Sequence, residues 1–321
     1  MDALKLIVTI DTEEDDWSEY SRTPRSLSNI DRIPDLQRLF DDLRVKPTYL
    51  VSYPIAVNER AGSILREILW KGRCEIGAHC HPWNTPPFEE EISRHNSMLC
   101  NLPAETQFRK LYVLHGAIRE TFGVESVGFR AGRWGFSEEV ARNISRLGYK
   151  VDSSVTPYTD WSACGGPDFS DRSPECKILT GGGSATDGDG TGLVEVPATI
   201  GFLQENFRIC GKIYHAARKD PMRSLKVPGL LHRLRIVNKV WLSPEMNEAE
   251  EMIRLTQRIR RNGYPLVNMT FHSTTLSAGK TPFVKTEEEE RHFLRKIRTY
   301  LENAIDSGAE PIGLSEAAKL L

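Results

Sequence analysis

The sequence predicts a parallel α/β protein, and three observations carry that expectation. Short apolar runs alternate with amphipathic stretches from one end of the chain to the other. About seven of those runs have the length and composition of strands. Most of the intervals between them hold apolar residues at helical spacing, and repeated strand–helix alternation builds a parallel sheet with helices outside it. Seven strands allow either a closed barrel or an open doubly wound sheet. No GxGxxG or GxxxxGK[ST] follows the first run, which argues against nucleotide binding.

The first strand is LKLIVTI (4–10), apolar throughout as a strand covered on both faces must be. SNIDRIPDLQRLFDDL follows, with Ile30, Ile33, Leu36, Leu39, Phe40 and Leu43 at helical spacing behind Ser28, the expected N-cap. PTYLVS (47–52), CEIGA (74–78), SVGFRA (126–131), YKVDSS (149–154), LVEVPA (193–198) and PLVNMTF (265–271) supply the remaining strands. The glycine-rich TGGGSATDGDGTG (180–192) reads as a surface loop. A calcium loop there would need a bidentate Glu where Ala198 stands. Near the end, Thr286 and Glu289 form a capping box ahead of a stripe of Phe293, Leu294, Ile297, Leu301 and Ile305.

Composition narrows the function classes. The 321 residues are 39% hydrophobic and 27% charged, which is globular, and are read as one domain spanning 1–321. A formal net charge of -2 argues against broad electrostatic attraction to nucleic acid or to an anionic membrane. No run approaches the roughly 20 apolar residues of a spanning helix. The first strand begins within a few residues of Met1, leaving no room for a signal peptide, and the six cysteines include no CxxC pair. Both point to reduced thiols and a cytoplasmic location.

In parallel α/β folds chemistry collects where strands end. Here one strand ends in TIDTEED, another in GAHCHPW, another in GFRAGRWGF, and the last in TFHSTT, while Asp152 lies in VDSSVTPY. Strand alternation sets His79 and His81 on one side and turns Cys80 to the other. Polar groups at five of seven strand ends are costly to desolvate unless they serve one another. A divalent metal held by a carboxylate and two imidazoles, with a second carboxylate, an arginine and another histidine, accounts for the set.

These blocks, in this order, resemble the polysaccharide deacetylase family, carbohydrate esterase family 4 or NodB-homology family. VTIDTEED, GAHCHPW, GFRAGRWGFS, GYKVDSSVTPY, LVEVPATIGF and NMTFHSTTL carry the resemblance over most of the chain. It is nearest to cytosolic members tied to surface-polysaccharide synthesis. The resemblance implies a distorted (β/α) barrel of about seven strands and a metal-dependent hydrolase that removes N-acetyl groups from a sugar, oligosaccharide or polysaccharide precursor. It implies one divalent metal, Zn first, with Co, Ni or Fe suiting the same donors.

Carried over residue by residue, the resemblance makes Asp11 the general base and Arg130 its bidentate ion-pair partner. His272 becomes the acid, with Asp152 orienting it. Thr12 stands where the commoner motif has the metal-binding aspartate, so parity makes Glu13 the first choice of acidic ligand and Glu14 the second. The family's histidines usually lie four apart, whereas His79 and His81 are two apart, with Trp83 at the fourth position. Trp83, Trp134 and Tyr158, with Trp17 and Trp161 nearby, are candidates to stack on sugar faces. His95, His115, His215, His232 and His292 read as structural or surface residues. Two alternatives stay open: hydrolysis of a non-sugar cyclic amide, or a carbohydrate-binding relative that has lost catalysis.

Overall fold

The protein is seen here as a computed structural model describing residues 3–17, 19–179, 192–222 and 227–320. The stretch 180–191, and with it nearly all of the glycine-rich loop, lies outside the described residues. The strands are β1 (Lys5–Thr12), β2 (Thr48–Val51), β3 (Glu75–Cys80), β4 (Gly128–Ala131), β5 (Val151–Asp152), β6 (Lys177–Leu179), β7 (Leu193–Glu195), β8 (Ile200–Phe202), β9 (Lys239–Trp241), β10 (Leu266–His272) and β11 (Glu310–Pro311). Around them run α1 (Ile33–Asp42), α2 (Tyr53–Val57), α3 (Glu59–Trp70), α4 (Ala104–Phe122), α5 (Glu138–Arg146), α6 (Phe207–Ala217), α7 (Val227–Arg233), α8 (Ala249–Arg261) and α9 (Glu287–Asp306).

The main sheet has the order β10-β1-β2-β3-β4-β5-β7-β6, with β11 also on β1. From β10 through β7 every pairing is parallel, and these seven strands are the seven apolar runs of the sequence. Only β6 turns antiparallel, on the outer edge of β7. The sheet curls into a distorted (β/α) barrel whose ladder is open between β7 and β10. A separate antiparallel pair, β8–β9, sits at that gap. It bridges the gap through backbone bonds from Thr199 N to Asn268 O (3.2 Å) and from Thr270 N to Leu242 O (3.1 Å).

Register decides what faces inward. Asp11 sits directly beside His272 and Thr9 beside Thr270, while His79 lies beside Arg130. Around Arg130 the barrel interior is polar: Thr9 Oγ1 donates to Asn268 Oδ1 (2.9 Å), and Asn268 Nδ2 donates to Ser153 Oγ (3.0 Å). The larger apolar core lies outside the sheet, where strand residues such as Leu6, Val8 and Ile10 meet Leu36, Phe40, Phe293 and Ile297 of the helices. A smaller apolar cluster of Ile7, Leu50, Val151 and Leu314 lies on the inner face. Helix α9 begins on the expected capping box of Thr286 and Glu289. Ser28 does not cap α1. Residues 28–32 form a 3-10 turn, Pro34 opens the α-helix, and Ser28 Oγ donates to Asp15 Oδ2 (2.7 Å) instead.

The loop that follows β3 is held from α4 by a buried cation. Lys110 Nζ donates to the carbonyls of Pro82 (2.9 Å), Thr85 (2.8 Å) and Pro87 (2.6 Å), and pairs with Glu90 at 2.8 Å. Its side chain is fully buried, so those three acceptors have no water to turn to. Lys110→Met should therefore cost about 3–5 kcal/mol, the range for breaking a buried charged pair. Urea unfolding checks this, as a lower midpoint at an unchanged slope.

Candidate metal centre and catalytic cleft

At the carboxyl ends of β1, β3, β4 and β10 a cleft of about 450 Å³ opens. It has the size of a small-ligand site. Five of the six tryptophans line it, namely Trp17, Trp83, Trp134, Trp161 and Trp241. The sixth, Trp70, is exposed on α3.

On its floor Glu13 Oε2 lies 3.3 Å from His79 Nε2 and 3.2 Å from His81 Nε2. Among the described residues these three form the group able to hold a metal ion. Donors at bond lengths of about 2.1 Å around a tetrahedral ion stand about 3.4 Å apart, so the spacing fits. Outer contacts fit as well. His81 Nδ1 lies 2.9 Å from Glu14 Oε1, which also accepts from Asn84 Nδ2 (2.6 Å). A carboxylate on the non-ligating nitrogen is the usual partner of a metal-bound imidazole. Glu14 is thus on the far side of His81 from the cluster, so the acidic donor aimed at the centre is Glu13. His79 Nδ1 is buried without a hydrogen bond, 4.0 Å from Asp11 Oδ1. Trp83 stacks on His81 at 4.1 Å. Gly132 backs the same ring, where a Cβ would come within 2.2 Å of His81 Cδ2 and 2.7 Å of the Cys80 carbonyl.

Asp11 is held by Arg130, whose side chain is completely buried. Nη1 donates to Asp11 Oδ1 (2.6 Å), Nη2 to Thr9 Oγ1 (2.6 Å) and Ser153 Oγ (2.8 Å), and Nε to Ser153 O (2.8 Å). The expected bidentate pair is therefore a single contact, because the rest of the fork is committed to β1 and the loop after β5. Asp11 Oδ2 stays available, 3.7 Å from His272 Nε2.

Charge in the cleft is dominated by carboxylates. Burial opposes ionisation of Asp11, but Arg130, His79 and His272 outweigh it and hold the carboxyl below its usual range. Glu13 is also lowered, as His272, His79 and His81 overcome its burial. Burial opposes charge on His81, yet Glu14 and Glu13 push it up to about 10. His272 likewise rises to about 10, with Glu245 the main cause after burial is overcome. The carboxylates thus call for positive charge, which either protons on the imidazoles or a divalent ion can supply.

Glu245 is the residue that sequence reasoning missed. His272 Nδ1 lies 3.0 Å from Glu245 Oε2, the His272 amide donates to Oε1 (2.9 Å), and Thr275 Oγ1 donates to the same oxygen (2.5 Å). It follows β9, a strand too short to stand out by periodicity, in WLSPE. Trp241 was missed for the same reason. Asp152, expected to orient His272, makes no contact with it. Its carboxyl accepts from Ser154 N (3.0 Å) and Ser154 Oγ (2.6 Å), and Ser154 Oγ accepts from Ala131 N (2.8 Å). Asp152 therefore braces the strand ends beside Arg130.

Of the aromatic candidates, Trp83 and Trp134 line the cleft. Arg133 and Trp134 both adopt positive φ (53° and 61°), uncommon for non-glycine residues, and both reach the cleft wall. Trp134 lies 5.4 Å from Trp241 and under the Arg130 guanidinium at 5.2 Å. Tyr158 is not part of the cleft. It packs on Phe202 (5.0 Å) and Phe207 and lines a separate groove along α6. Cys80 is buried on the opposite side of β3, with burial pushing its thiol up to about 12, and all six cysteines are free. His115 and His292 pair with Glu125 and Glu248, while the side chain of His232 lies outside the described residues.

Barrel, cleft and strand-end polar groups together have the polysaccharide deacetylase fold. A Mycobacterium smegmatis protein described as a polysaccharide deacetylase superposes with a TM-score of 0.59 at 16% identity, over 99% of this chain and 91% of its own. An allantoinase, Puue, matches with a TM-score of 0.54 at 11% identity, over 98% and 89%. The 4-alpha-glucanotransferase of Thermococcus litoralis gives 0.57 at 12%, over 100% of this chain and only 41% of that longer one. Neither a family model nor a curated protein matches the sequence. Three differently named activities on one fold leave the chemistry to be argued from the site.

Asp152 gives this geometry a pH signature. Burial raises its carboxyl to about 8, so the folded protein keeps a proton that the unfolded chain releases from about pH 4. The linked stability is fully present below the unfolded value and is lost as pH rises through the folded one. Asp152→Asn should flatten the fall in melting temperature between about pH 4 and 8. Parallel thermal melts of the two proteins across that range measure it.

Proposed function

We propose that this protein is a metal-dependent hydrolase that removes an N-acetyl group from a sugar, oligosaccharide or polysaccharide precursor. The observation that carries the reading is one constellation. The Glu13–His79–His81 donors lie beside Asp11, and His272 stands 3.7 Å from Asp11, all within a tryptophan-lined cleft. Tryptophan rings offer flat apolar faces to the C–H faces of a pyranose and leave hydroxyls free for Asp16, Arg133 and Ser243 on the walls.

Glu13, His79 and His81 would hold the ion, leaving positions open as a catalytic site requires. A divalent metal bound there supplies a Lewis acid that lets water ionise near neutral pH and polarises an amide carbonyl. Asp11, kept ionised by Arg130, accepts the proton of the attacking water at Oδ2, the oxygen that Arg130 does not occupy. His272, kept protonated by Glu245 and aimed by it through Nδ1, delivers a proton from Nε2 to the departing amine. Trp17 meets the His272 ring edge-on at 4.9 Å and limits its rotation.

Elemental analysis of protein purified without chelator should give one divalent ion per chain. Glu13→Gln and His79→Ala/His81→Ala should lose it. Asp11→Asn should keep it and lose about two to four orders of magnitude in turnover, the range for general base catalysis. Acetate release from a panel of N-acetylated sugars and nucleotide sugars, with and without chelator, reads that turnover. Metal retained by the double histidine variant overturns the centre, and metal lost from Asp11→Asn but kept by Glu13→Gln reverses the two roles.

An amine leaves poorly as its anion, so amide cleavage depends on a proton donor more than ester cleavage does. His272→Ala should damage N-acetyl substrates severely and an aryl acetate much less, with metal content unchanged. Glu245→Gln should move the same ratio in the same direction, less far. Equal losses on amide and ester would leave His272 only a shaping role. Metal-replete wild type that releases acetate from no N-acetyl sugar would turn the reading to another amide.

A further inference from the structure

Net charge summed over the chain hides one segment. Between β8 and β9 the chain leaves the barrel to form α6 and α7, which pack on each other before it returns. Among the described residues of 207–239, Arg208, Lys212, Arg218, Lys219, Arg233 and Arg235 are exposed, and Asp220 is the single acidic residue. Arg208, Lys212, Lys219, Arg233 and Arg235 carry no ion pair among the described residues. The whole chain, by contrast, has a formal net charge of -2.

The same segment exposes apolar side chains. Ile209, Ile213, Met222, Leu230, Leu234 and Ile236 are each 38% to 58% accessible. They are six of the fourteen exposed large apolar side chains among the described residues, on about a tenth of the chain. Ile209 and Ile213 are four apart on α6, and Leu230 is three residues from the end of α7 with Leu234 four beyond it. Spacing by four sets such pairs on one helical face. Arg208 and Lys212 flank the first pair and Arg233 and Arg235 flank Leu234.

Aliphatic side chains interleaved with unpaired cations are the composition of an interfacial element. A nucleic acid would satisfy the cations but give Ile, Leu and Met nothing, since its bases stack on aromatic rings. An anionic bilayer satisfies both, with phosphates for the cations and the acyl boundary for the aliphatic groups. We propose that the α6–α7 insertion docks this protein on an anionic membrane surface. From the insertion β9 runs directly into Trp241, Ser243 and Glu245 at the cleft, so docking would hold the cleft at the bilayer. The inference does not depend on which bond the cleft breaks.

Co-sedimentation of the full chain with vesicles tests it. Phosphatidylcholine vesicles containing about 30% phosphatidylglycerol should bind the protein, and pure phosphatidylcholine should not. Binding should fall steeply toward about 0.5 M salt. Each cation removed should weaken partition about fivefold, so Arg208→Gln/Lys212→Gln/Lys219→Gln should lose on the order of a hundredfold. Ile213→Ser/Leu230→Ser/Leu234→Ser should lose about tenfold or more at unchanged charge. All these positions are exposed, and melting temperatures should match wild type. Wild type that ignores anionic vesicles, or either variant that binds as wild type does, overturns the proposal. Binding to polyglutamate while vesicles are ignored overturns it in favour of an acidic protein partner.

Discussion

A guanidinium buried in the middle of the barrel sets the terms for everything around it. Taking Arg130 out of water costs several kcal/mol after relaxation, and only complete satisfaction of its donors offsets that. Asp11, Thr9 and both the side chain and carbonyl of Ser153 provide it. Those partners come from β1 and the loop after β5, while Arg130 comes from β4. One side chain therefore fixes three strand ends relative to one another. The interior around it is polar by necessity, with Asn268 closing the circuit between Thr9 and Ser153.

The cleft is assembled on that fixed frame. Because one Asp11 oxygen is tied to Arg130, the other has a defined direction, toward His272 in register on β10. The two histidines of β3 face the same interior because strand alternation leaves them no other choice. Glu13 lies just past the end of β1, where the chain is free to fold over the cluster. Glu14 and Glu245 then each engage one ring nitrogen of a histidine from outside, the arrangement that fixes tautomer and orientation.

Much of this was legible in the chain. The seven strands from β10 through β7 could be read from apolar runs, since a strand buried on both faces must be apolar along its length. Asp11, Glu13, His79, His81, Arg130 and His272 were legible because each sits at or just beyond such a run. Glu245 and Trp241 were not, because β8 and β9 are three residues each and show no period. Tyr158 was misread for the opposite reason. It follows a legible strand, but its ring turns toward Phe202 and Phe207 rather than the cleft. The basic, apolar insertion was hidden by an overall charge near neutrality, since a sum over 321 residues carries no position.

The sequence by itself determined the seven barrel strands, their parallel sense and the faces of His79 and His81, since these follow from periodicity and connection length, which are local. Tertiary structure alone decided which carboxylate reaches which imidazole. Asp152 and Glu245 look equally able to orient a histidine in the chain. The curl of the barrel turns Asp152 onto Ser154, and the β8–β9 bridge across the open gap brings Glu245 to His272, 27 residues away in sequence. Pairing between distant segments depends on how the sheet closes, and no residue pattern along the chain encodes that closure.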